Sequence, residues 1–393
     1  MDTKALDAKY LGRDVPPTPV EIVKSKGCVL YDTTGKDYID FLMGWNVGNL
    51  GWGIKEIEKD IRTYDGPDYV NPYYLFRPWG ELAQILARIT PGKLTKSFRA
   101  TGGTEAVEIA LQAAMGYTKR TKFISVEGAY HGHSIGAMSI GLSGFRQRYA
   151  NLLPNCYTVK PPLDERAARE AEALIQKGDI AAYIAEPIIL NLGVIIPDDR
   201  YYEIIQAACK KHGTLLIIDE VATGFGRTGK MFASEHYDIE PDIMCLGKAL
   251  TGGYGAMGAT VMTEEVAQSM AYDFSFYSTF GWHPRNAVAA LSYLRYFLAR
   301  KEEIVQNTER MGEYFEKRLR AMVFKHTAQI RRKGLAIGIE FKHKGYADEV
   351  VRKGVQYGVQ LSTLGPFTIT LFPALTIDEK TANEGLDRLH RCI

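Results

Sequence analysis

Residues 214–221 read TLLIIDEV, and residues 243–250 read IMCLGKAL. Each stretch is an apolar run that ends at a charged side chain, Asp219 in the first and Lys248 in the second. A short, wholly apolar run bounded by turn residues is typical of a strand buried inside a sheet. We therefore predict two buried strands whose ends carry a carboxylate and an amine.

This pair of side chains suits one kind of cofactor. A lysine near apolar walls loses its proton easily and can then condense with an aldehyde. A carboxylate on a neighbouring strand can pair with a cationic ring nitrogen. Pyridoxal 5′-phosphate (PLP) needs both partners, so Asp219 and Lys248 predict a PLP site.

Strand-like and helix-like segments alternate around these runs. The predicted strands cover 96–101, 123–126, 180–185, 215–218, 244–246 and 256–262, and predicted helices cover 104–115 and 201–212. Such alternation predicts an α/β fold with a mainly parallel sheet and helices on both faces. Ligands of these sheets bind beyond the carboxyl ends of the strands, which is where Asp219 and Lys248 fall.

The two ends of the chain follow a different pattern. After Pro284, helix-like stretches (285–324, 347–357 and 378–391) are mixed with strand-like ones (334–341 and 367–372). Near the N-terminus, 28–32 and 37–41 read as a hairpin around the turn 33–36. The ends thus predict small α+β elements beside the larger sheet.

The composition limits the classes of function that the chain is expected to have. The chain has 393 residues, is 46% hydrophobic and 24% charged, and has a net charge of +2. A nearly neutral chain gives no reason to expect nucleic acid or a membrane as partner. Five scattered cysteines without a CxxC pair argue against a disulfide framework or a metal site. The first residues lack an apolar signal core, so we expect a cytoplasmic protein.

Three glycine-rich stretches are candidate phosphate sites. Residues 224–229 and 253–258 match GxGxxG, but neither leads into a convincing helix, which argues against a dinucleotide site. The first stretch also resembles a Walker A loop, but Met231 stands where Ser or Thr is required. Residues 101–106 (TGGTEA) join a predicted strand to a predicted helix, so the free N–H groups there predict a phosphate cradle at Gly103 and Thr104.

Two more strand ends carry polar or aromatic side chains. Residues 127–133 read EGAYHGH, in which Tyr130 can stack on a flat ring. His131 and His133 have a spacing that suits a metal, but no third ligand is evident nearby. Glu186 follows the predicted strand 180–185. At least five predicted strands therefore end at a candidate functional side chain, and these ends meet at one edge of the sheet.

Together these motifs resemble the class III (omega) aminotransferases, which are PLP enzymes of fold type I. The segments that carry the resemblance are GTEA (103–106), YHG (130–132), EP (186–187), DEVATGFGRTG (219–229), LGKALTGG (246–253) and YST (277–279). The resemblance implies a three-layer large domain with a mainly parallel sheet and a smaller α+β domain built from both termini. We expect residues 1–50 and 284–393 to form the small domain and 51–283 the large one.

The resemblance also implies a role for each matched residue. Lys248 would bind the cofactor covalently and shuttle a proton, and Asp219 would keep the ring nitrogen protonated. The remaining roles are ring packing for Val221 and Tyr130, phosphate binding for Gly103, Thr104 and the partner subunit's Thr279, support for Glu186 and Glu220, and a pocket wall for Trp45. The role of Thr279 implies a homodimer with active sites at its interface.

The sequence departs from the family pattern where substrates are chosen. Relatives that use glutamate usually carry an arginine shortly before a Pro-Pro-Leu segment, and Thr370 stands at that position here. They also place a gating glutamate five residues after the Glu-Pro glutamate, and Asn191 stands there. Ala222 follows Val221, where glutamine is usual. Both halves of the glutamate gate are therefore absent.

We expect a transaminase that moves an amino group from a primary amine, diamine or ω-amino acid to a keto acid such as pyruvate or 2-oxoglutarate. The alternative is a PLP-dependent isomerase, either an aminomutase similar to glutamate-1-semialdehyde aminomutase or an amino-acid racemase. The segment around Asn191 resembles the aminomutase loop and keeps that alternative open. The presence of both Lys248 and Asp219 disfavours a binding protein without catalysis.

Overall fold

The computed structural model describes residues 2–141, 143–270 and 276–393. The strands are β1 (Ile22–Lys26), β2 (Val29–Asp32), β3 (Asp37–Asp40), β4 (Leu94–Ala100), β5 (Lys122–Val126), β6 (Cys156–Val159), β7 (Ile180–Ala185), β8 (Leu215–Asp219), β9 (Ile243–Leu246), β10 (Gly258–Thr263), β11 (Ala328–Lys333), β12 (Ala336–Phe341), β13 (Val359–Gln360), β14 (Ser362–Leu364) and β15 (Thr368–Leu371).

The helices are α1 (Thr3–Tyr10), α2 (Met43–Asn46), α3 (Lys55–Arg62), α4 (Arg77–Ile89), α5 (Gly103–Thr118), α6 (Ile135–Ser139), α7 (Ser143–Arg148), α8 (Glu165–Ile175), α9 (Asp199–His212), α10 (Glu264–Gln268), α11 (Pro284–Ala299), α12 (Lys301–Arg320), α13 (Tyr346–Tyr357) and α14 (Glu379–His390). Short 3₁₀ turns cover Leu190–Leu192, Ala233–His236 and Lys248–Leu250. Within the described ranges, no helix is both long enough and apolar enough to cross a membrane.

A seven-stranded sheet forms the centre of the large domain. Its strand order is β4-β10-β9-β8-β7-β5-β6. The pairs from β9 to β6 are all parallel, whereas β10 runs antiparallel to both β9 and β4. The predicted mainly parallel α/β sheet is therefore confirmed.

Alternate residues of the central strands pack against helices on opposite faces. Every residue of β7, β8 and β9 is buried. In β8, Ile217 lies in the hydrophobic cluster that contains Ala110 of α5, whereas Ile218 lies in the cluster that contains Ile205 of α9. The two-residue period of a strand sends these neighbours to opposite faces and explains the continuous apolar run.

Two four-stranded sheets belong to the smaller α+β domain. One has the order β1-β2-β3-β13, and the other β11-β12-β15-β14. The hairpin predicted near the N-terminus is present as β2 and β3, and Asp32 Oδ1 holds its turn by accepting from the N–H groups of Thr34 and Lys36. Because β13 pairs in parallel with β3, the small domain joins both ends of the chain.

Several element ends differ from the prediction. The strand predicted at 256–262 spans Gly258–Thr263, and the helix predicted at 104–115 extends over Gly103–Thr118. The prediction missed β1, β6, β11 and the short strands β13 and β14. These segments are short or polar, so their pairing depends on neighbours distant in sequence rather than on a local pattern.

Candidate active site

Asp219 ends β8 and is fixed by two donors. Its Oδ2 accepts a hydrogen bond from His131 Nδ1 at 2.7 Å, and its Oδ1 accepts from the Val221 N–H at 3.0 Å. Asp219 and His131 are each only 3% exposed. Because the carboxylate is the acceptor, the proton of the imidazole lies on Nδ1. Sequence analysis did not assign this role to His131, although it singled out the histidine.

Lys248 lies two residues beyond β9, next to the strand that carries Asp219. It has a left-handed backbone (φ 44°) at the start of a 3₁₀ turn. Burial lowers the pKa of Lys248, and the nearby carboxylates of Glu186 and Asp219 partly oppose that shift. Such an environment favours the neutral amine, which is the nucleophilic form.

Glu186 follows β7 at the same edge of the sheet. Its Oε2 accepts from the Leu190 N–H at 3.3 Å, while its buried Oε1 has no hydrogen-bond partner among the described residues. Burial, followed by repulsion from Asp219, raises the pKa of Glu186 well above its usual range. The raised pKa favours the neutral form of Glu186, whose unpartnered Oε1 lies at the same buried edge of the sheet as Lys248.

Glu220 is directed away from this cluster. It accepts hydrogen bonds from the Thr223 hydroxyl at 2.5 Å and from the Ala233 and Ser234 N–H groups at 3.1 and 2.7 Å. Burial raises the pKa of Glu220 to about 7, although these hydrogen bonds oppose the shift. Glu220 thus ties the segment after β8 to the 3₁₀ turn at Ala233–His236.

Backbone segments pack closely around Gly103 and Thr104, where the sequence predicts a phosphate cradle. A Cβ at Gly103 would lie 2.7 Å from Val221 Cγ1, and a Cβ at Gly247 would lie 3.2 Å from the Gly103 nitrogen. On the other side, a Cβ at Gly132 would lie 2.4 Å from Thr104 Oγ1. The start of α5 therefore meets the segments that carry Val221, Lys248 and Tyr130. Its first-turn N–H groups are suited to an anion.

Tyr130 and Trp45 are exposed at this end of the molecule, with 37% and 54% of their surfaces accessible. The Tyr130 hydroxyl lies 2.7 Å from His133 Nδ1. Trp45 Nε1 donates to Ser362 Oγ at 3.3 Å. Tyr130 is therefore held by a residue of its own loop, whereas Trp45 is held by a residue of β14.

The backbone of Trp45 is unusual. All four residues of α2, Met43 to Asn46, have φ between 47° and 68°, the left-handed region. This region costs about 1–2 kcal/mol for each residue other than glycine. The buried carboxylate of Asp40 stabilises the turn by accepting from the N–H groups of Leu42 and Met43. Sequence analysis missed Asp40, and no local sequence signal marks it.

The expected substrate side of the site is largely apolar. Leu42, Leu190 and Phe372 are buried in one cluster, and Ala222 packs against it. Asn191 Nδ2 donates to the Gly128 carbonyl at 2.7 Å, which leaves its Oδ1 without a partner among the described residues.

Thr370 is fully buried on β15, opposite Gly338 of β12. Two arginines are candidates to replace the one missing at that position. Arg331 donates to the Gly193 carbonyl at 2.9 Å and pairs with Glu340 at 2.6 Å. Arg285 pairs with Asp68 at 3.3 Å. Each guanidinium has a carboxylate partner, although Nη2 of Arg331 is buried without a hydrogen-bond partner among the described residues.

Thr279 is exposed in the single chain. None of the described hydrogen bonds joins it to Gly103 or Thr104. The residues that the structure brings together at this edge of the sheet are Gly103, Thr104, Tyr130, Glu186, Asp219, Val221 and Lys248.

Arg227 is a further buried residue that sequence analysis did not single out. It donates to the Leu335 carbonyl at 3.1 Å, the Pro373 carbonyl at 2.6 Å and Asn49 Oδ1 at 2.8 Å. Burial lowers its pKa to about 9. Arg227 therefore ties the glycine-rich segment after Asp219 to both ends of the chain.

The arrangement fits the PLP predicted from the sequence. A buried carboxylate, a lysine whose pKa burial lowers, a glycine-rich helix start suited to an anion and the unpartnered Glu186 Oε1 all lie at one edge of the sheet. His131 is bound to Asp219 and His133 to Tyr130, so the two imidazoles have separate partners. Among the residues that the structure describes, no three His, Cys, Asp or Glu side chains are grouped as a metal site.

Sequence comparison identifies relatives over almost the whole chain. The model of the family described as "Aminotransferase class-III" matches residues 10–393. The chain is 33% identical over 390 residues to an acetylornithine aminotransferase of Methanosarcina acetivorans, covering 98% of this chain and 94% of the relative. It is 38% identical over 331 residues to a putrescine aminotransferase of Pectobacterium atrosepticum, covering 81% and 70%.

Solved structures agree with these relatives. A transaminase from the marine bacterium Virgibacillus superposes with a TM-score of 0.92 at 27% identity, over 99% of this chain and 98% of that one. A thermostable omega transaminase mutant from Pseudomonas jessenii superposes with a TM-score of 0.93 at 25% identity, over 100% and 98%. An amine transaminase from an uncultivated Pseudomonas species, with a TM-score of 0.89 at 27% identity over 98% and 97%, is PLP-bound.

These relatives favour amino transfer over the isomerase alternative. The matches extend over almost the whole chain, so they apply to all three sheets of the fold. The chain belongs to the class III aminotransferases, the fold type I enzymes that use pyridoxal 5′-phosphate to transfer an amino group from an amine donor to a keto acid.

Proposed function

We propose that Lys248 and Asp219 are the catalytic residues of this aminotransferase. The observation that carries the proposal is the buried edge of the sheet, where Lys248 shares one environment with Asp219 and Glu186. Gly103 and Thr104 would hold the cofactor phosphate, and Val221 and Tyr130 would pack against its ring. Thr279 of the partner subunit would complete the phosphate site.

The residues of the chain would act in a defined order. Bound PLP supplies an aldehyde for the lysine and a ring that withdraws electrons. Lys248 would hold it through the neutral Nζ. The same nitrogen, when free, would take and return the proton that moves during transfer. Asp219, oriented by His131 and Val221, keeps a proton on the ring nitrogen.

We propose that uncharged or cationic primary amines are better donors than glutamate. Thr370 and Asn191 stand at the two positions of the charged gate. Close to them in the chain, Phe372 and Leu190 belong to a buried apolar cluster with Leu42, against which Ala222 packs. Arg331 and Arg285 are both paired with carboxylates. Nη2 of Arg331 is without a partner among the described residues, but its Nε and Nη1 are bound to the Gly193 carbonyl and Glu340. A second substrate carboxylate would therefore lack a free bidentate partner of the kind that makes such pairs strong. The putrescine aminotransferase relative acts on a diamine by its name, which supports this choice.

The test compares kcat/KM for glutamate, a simple terminal amine and putrescine, with pyruvate or 2-oxoglutarate as acceptor. We expect both amines to exceed glutamate, and pyruvate to be at least as good an acceptor as 2-oxoglutarate. The double variant Asn191→Glu, Thr370→Arg restores the charged gate and should shift preference toward glutamate. A wild-type preference for glutamate of tenfold or more, about 1.4 kcal/mol in transition-state binding, would contradict the proposal.

We further propose that the active unit is a homodimer. Large apolar side chains are strongly exposed in the single chain, notably Tyr73 (84%), Tyr74 (71%), Leu75 (102%) and Phe280 (61%). Ring pairs connect the same region: Tyr73 stacks on Tyr277, and Tyr69 lies edge-on to Phe280. An exposed patch of this kind is typical of an interface. A fully active monomer in sedimentation at high dilution would contradict the proposal.

The remaining proposals concern organisation and location. We propose that residues 51–283 form the large domain and that 1–50 and 284–393 form the small one. The pairing of β3 with β13 supports the joining of the two ends. Limited proteolysis with mass spectrometry tests these boundaries. We also propose a cytoplasmic location, supported by five cysteines without disulfides; cell fractionation tests it.

A further inference from the structure

The loop after β5 sends its two histidines in different directions. His131 is buried, with its Nδ1 on the Asp219 carboxylate at 2.7 Å. His133 is exposed, with its Nδ1 2.7 Å from the Tyr130 hydroxyl. The catalytic roles described above use His131 through Asp219, but they leave His133 without a function.

His133 is packed as well as hydrogen-bonded. Its ring centroid lies 5.3 Å from that of Tyr130 at an angle of 60°, and 5.2 Å from that of Phe145 at 68°. The imidazole thus stands between the loop tyrosine and α7. A phenol ring turns about two side-chain torsions, so a hydrogen bond at its far end together with a neighbouring ring restricts its orientation.

We propose that His133 is a positioning residue, which holds the Tyr130 ring in the orientation that packs against the cofactor at the mouth of the site. This inference rests on the proposed role of Tyr130. Nδ1 of the imidazole can accept a hydrogen bond from the phenol O–H or donate one to the phenol oxygen, and either arrangement fixes the hydroxyl. His133 therefore acts on the cofactor through Tyr130 alone.

A double-mutant cycle separates this role from general stabilisation. The variants are His133→Leu, Tyr130→Phe and their combination, each purified as the full chain with PLP added back. The readouts are the dissociation constant for PLP and the visible circular dichroism of the bound cofactor, which reports the surroundings of its ring. Tyr130→Ala serves as a test of the proposed role of Tyr130 itself.

We expect His133→Leu to weaken PLP binding about threefold to tenfold, the size of one hydrogen bond, and to change the visible dichroism. His133→Asn can offer a polar atom near the position of Nδ1 and should restore most of both. In the Tyr130→Phe background, His133→Leu should have almost no further effect. The exposed His390 at the end of α14 provides a matched control, since His390→Leu should change neither readout.

The outcomes distinguish the two proposals. If Tyr130→Ala leaves PLP binding and dichroism unchanged, Tyr130 does not contact the cofactor and its proposed role is wrong. If Tyr130→Ala alters both but His133→Leu alters neither, only the positioning role of His133 is overturned. Equal effects of His133→Leu with and without the Tyr130 hydroxyl also overturn it.

Discussion

The imidazole of His131 donates from Nδ1 to Oδ2 of Asp219 at 2.7 Å, and the side chains of both residues are buried. The second donor to this carboxylate is a backbone N–H, so only the His131 bond can be removed by mutation. A hydrogen bond to a charged group contributes about 1.5–3 kcal/mol. The orientation of Asp219 therefore depends on His131.

We predict that His131→Phe lowers kcat by about tenfold to a hundredfold, the kinetic equivalent of that hydrogen bond. His131→Asn retains a donor of similar reach and should lose less. Steady-state kinetics with saturating PLP measures the effect. An unchanged kcat in His131→Phe would show that Asp219 does not need this partner.

Lys248→Ala should abolish covalent attachment of the cofactor and lower turnover by more than the ~10²–10⁴-fold expected for loss of a general base. The reason is that one nitrogen serves as both attachment point and base. Borohydride reduction followed by peptide mass spectrometry should find PLP on Lys248 in the wild type and on no lysine in the variant. The exposed Lys177 supplies the control, since Lys177→Ala should behave as wild type. Full activity of Lys248→Ala would contradict the proposed mechanism.

The buried Glu220 should make stability depend on pH. Its pKa rises from the usual 4.5 to about 7 on folding. A carboxyl group whose pKa is raised in the folded state contributes stability that is fully present below pH 4.5 and is lost as the pH rises through 7. The shift corresponds to roughly 3 kcal/mol.

Glu220→Gln cannot ionise, so its thermal midpoint should fall less than that of the wild type between pH 5 and pH 8.5. Differential scanning calorimetry at both pH values measures this difference. Glu235→Gln changes a partly exposed carboxylate in the segment that Glu220 binds, and should follow the wild type. A constant gap between Glu220→Gln and wild type at both pH values would contradict the prediction.

Trp45 should tolerate glycine better than alanine. At φ 56° and ψ 61°, alanine retains the left-handed strain and glycine does not. We predict that the free energy of unfolding of Trp45→Gly is about 1 kcal/mol higher than that of Trp45→Ala. At the exposed Glu313 in the right-handed helix α12, the same two substitutions should show the opposite order. The same order at both positions would argue against the left-handed turn.

Arg227→Met should lower the free energy of unfolding by about 3 kcal/mol, because three buried acceptors lose their donor at about 1 kcal/mol each. Those acceptors belong to Asn49, Leu335 and Pro373. Urea denaturation measures the loss. Arg120 donates to three backbone carbonyls but is partly exposed, so Arg120→Met should cost less. Equal losses would mean that burial of Arg227 adds nothing.

The sequence predicted the parts of the site that lie at strand ends. Asp219, Lys248 and Glu186 each close an apolar run, and a buried strand leaves its next polar residue at the edge of the sheet. The cradle at Gly103 was predicted for a similar reason, since a glycine-rich turn joins a strand to a helix. These features depend on the hydrophobic period along the sequence, which can be recognised without knowing which segments are neighbours in space.

The sequence did not predict features that depend on distant pairing. His131 meets Asp219 across 88 residues, and Arg227 meets Asn49 across 178. The antiparallel direction of β10 has no local signal either, because strand direction follows from the connections. The left-handed turn at Trp45 was missed because glycine and asparagine are the residues that favour such backbone conformations, and Met43 and Trp45 are neither.

The pairing of β3 with β13 has a consequence for synthesis of the chain. Lys36 Nζ donates to the Val355 carbonyl, 319 residues away, just before these two strands meet. A ribosome releases the N-terminal strands long before their last partner exists. The hairpin of β2 and β3 must therefore wait with an open edge while the central sheet forms. Until then this edge is open to pairing with other chains.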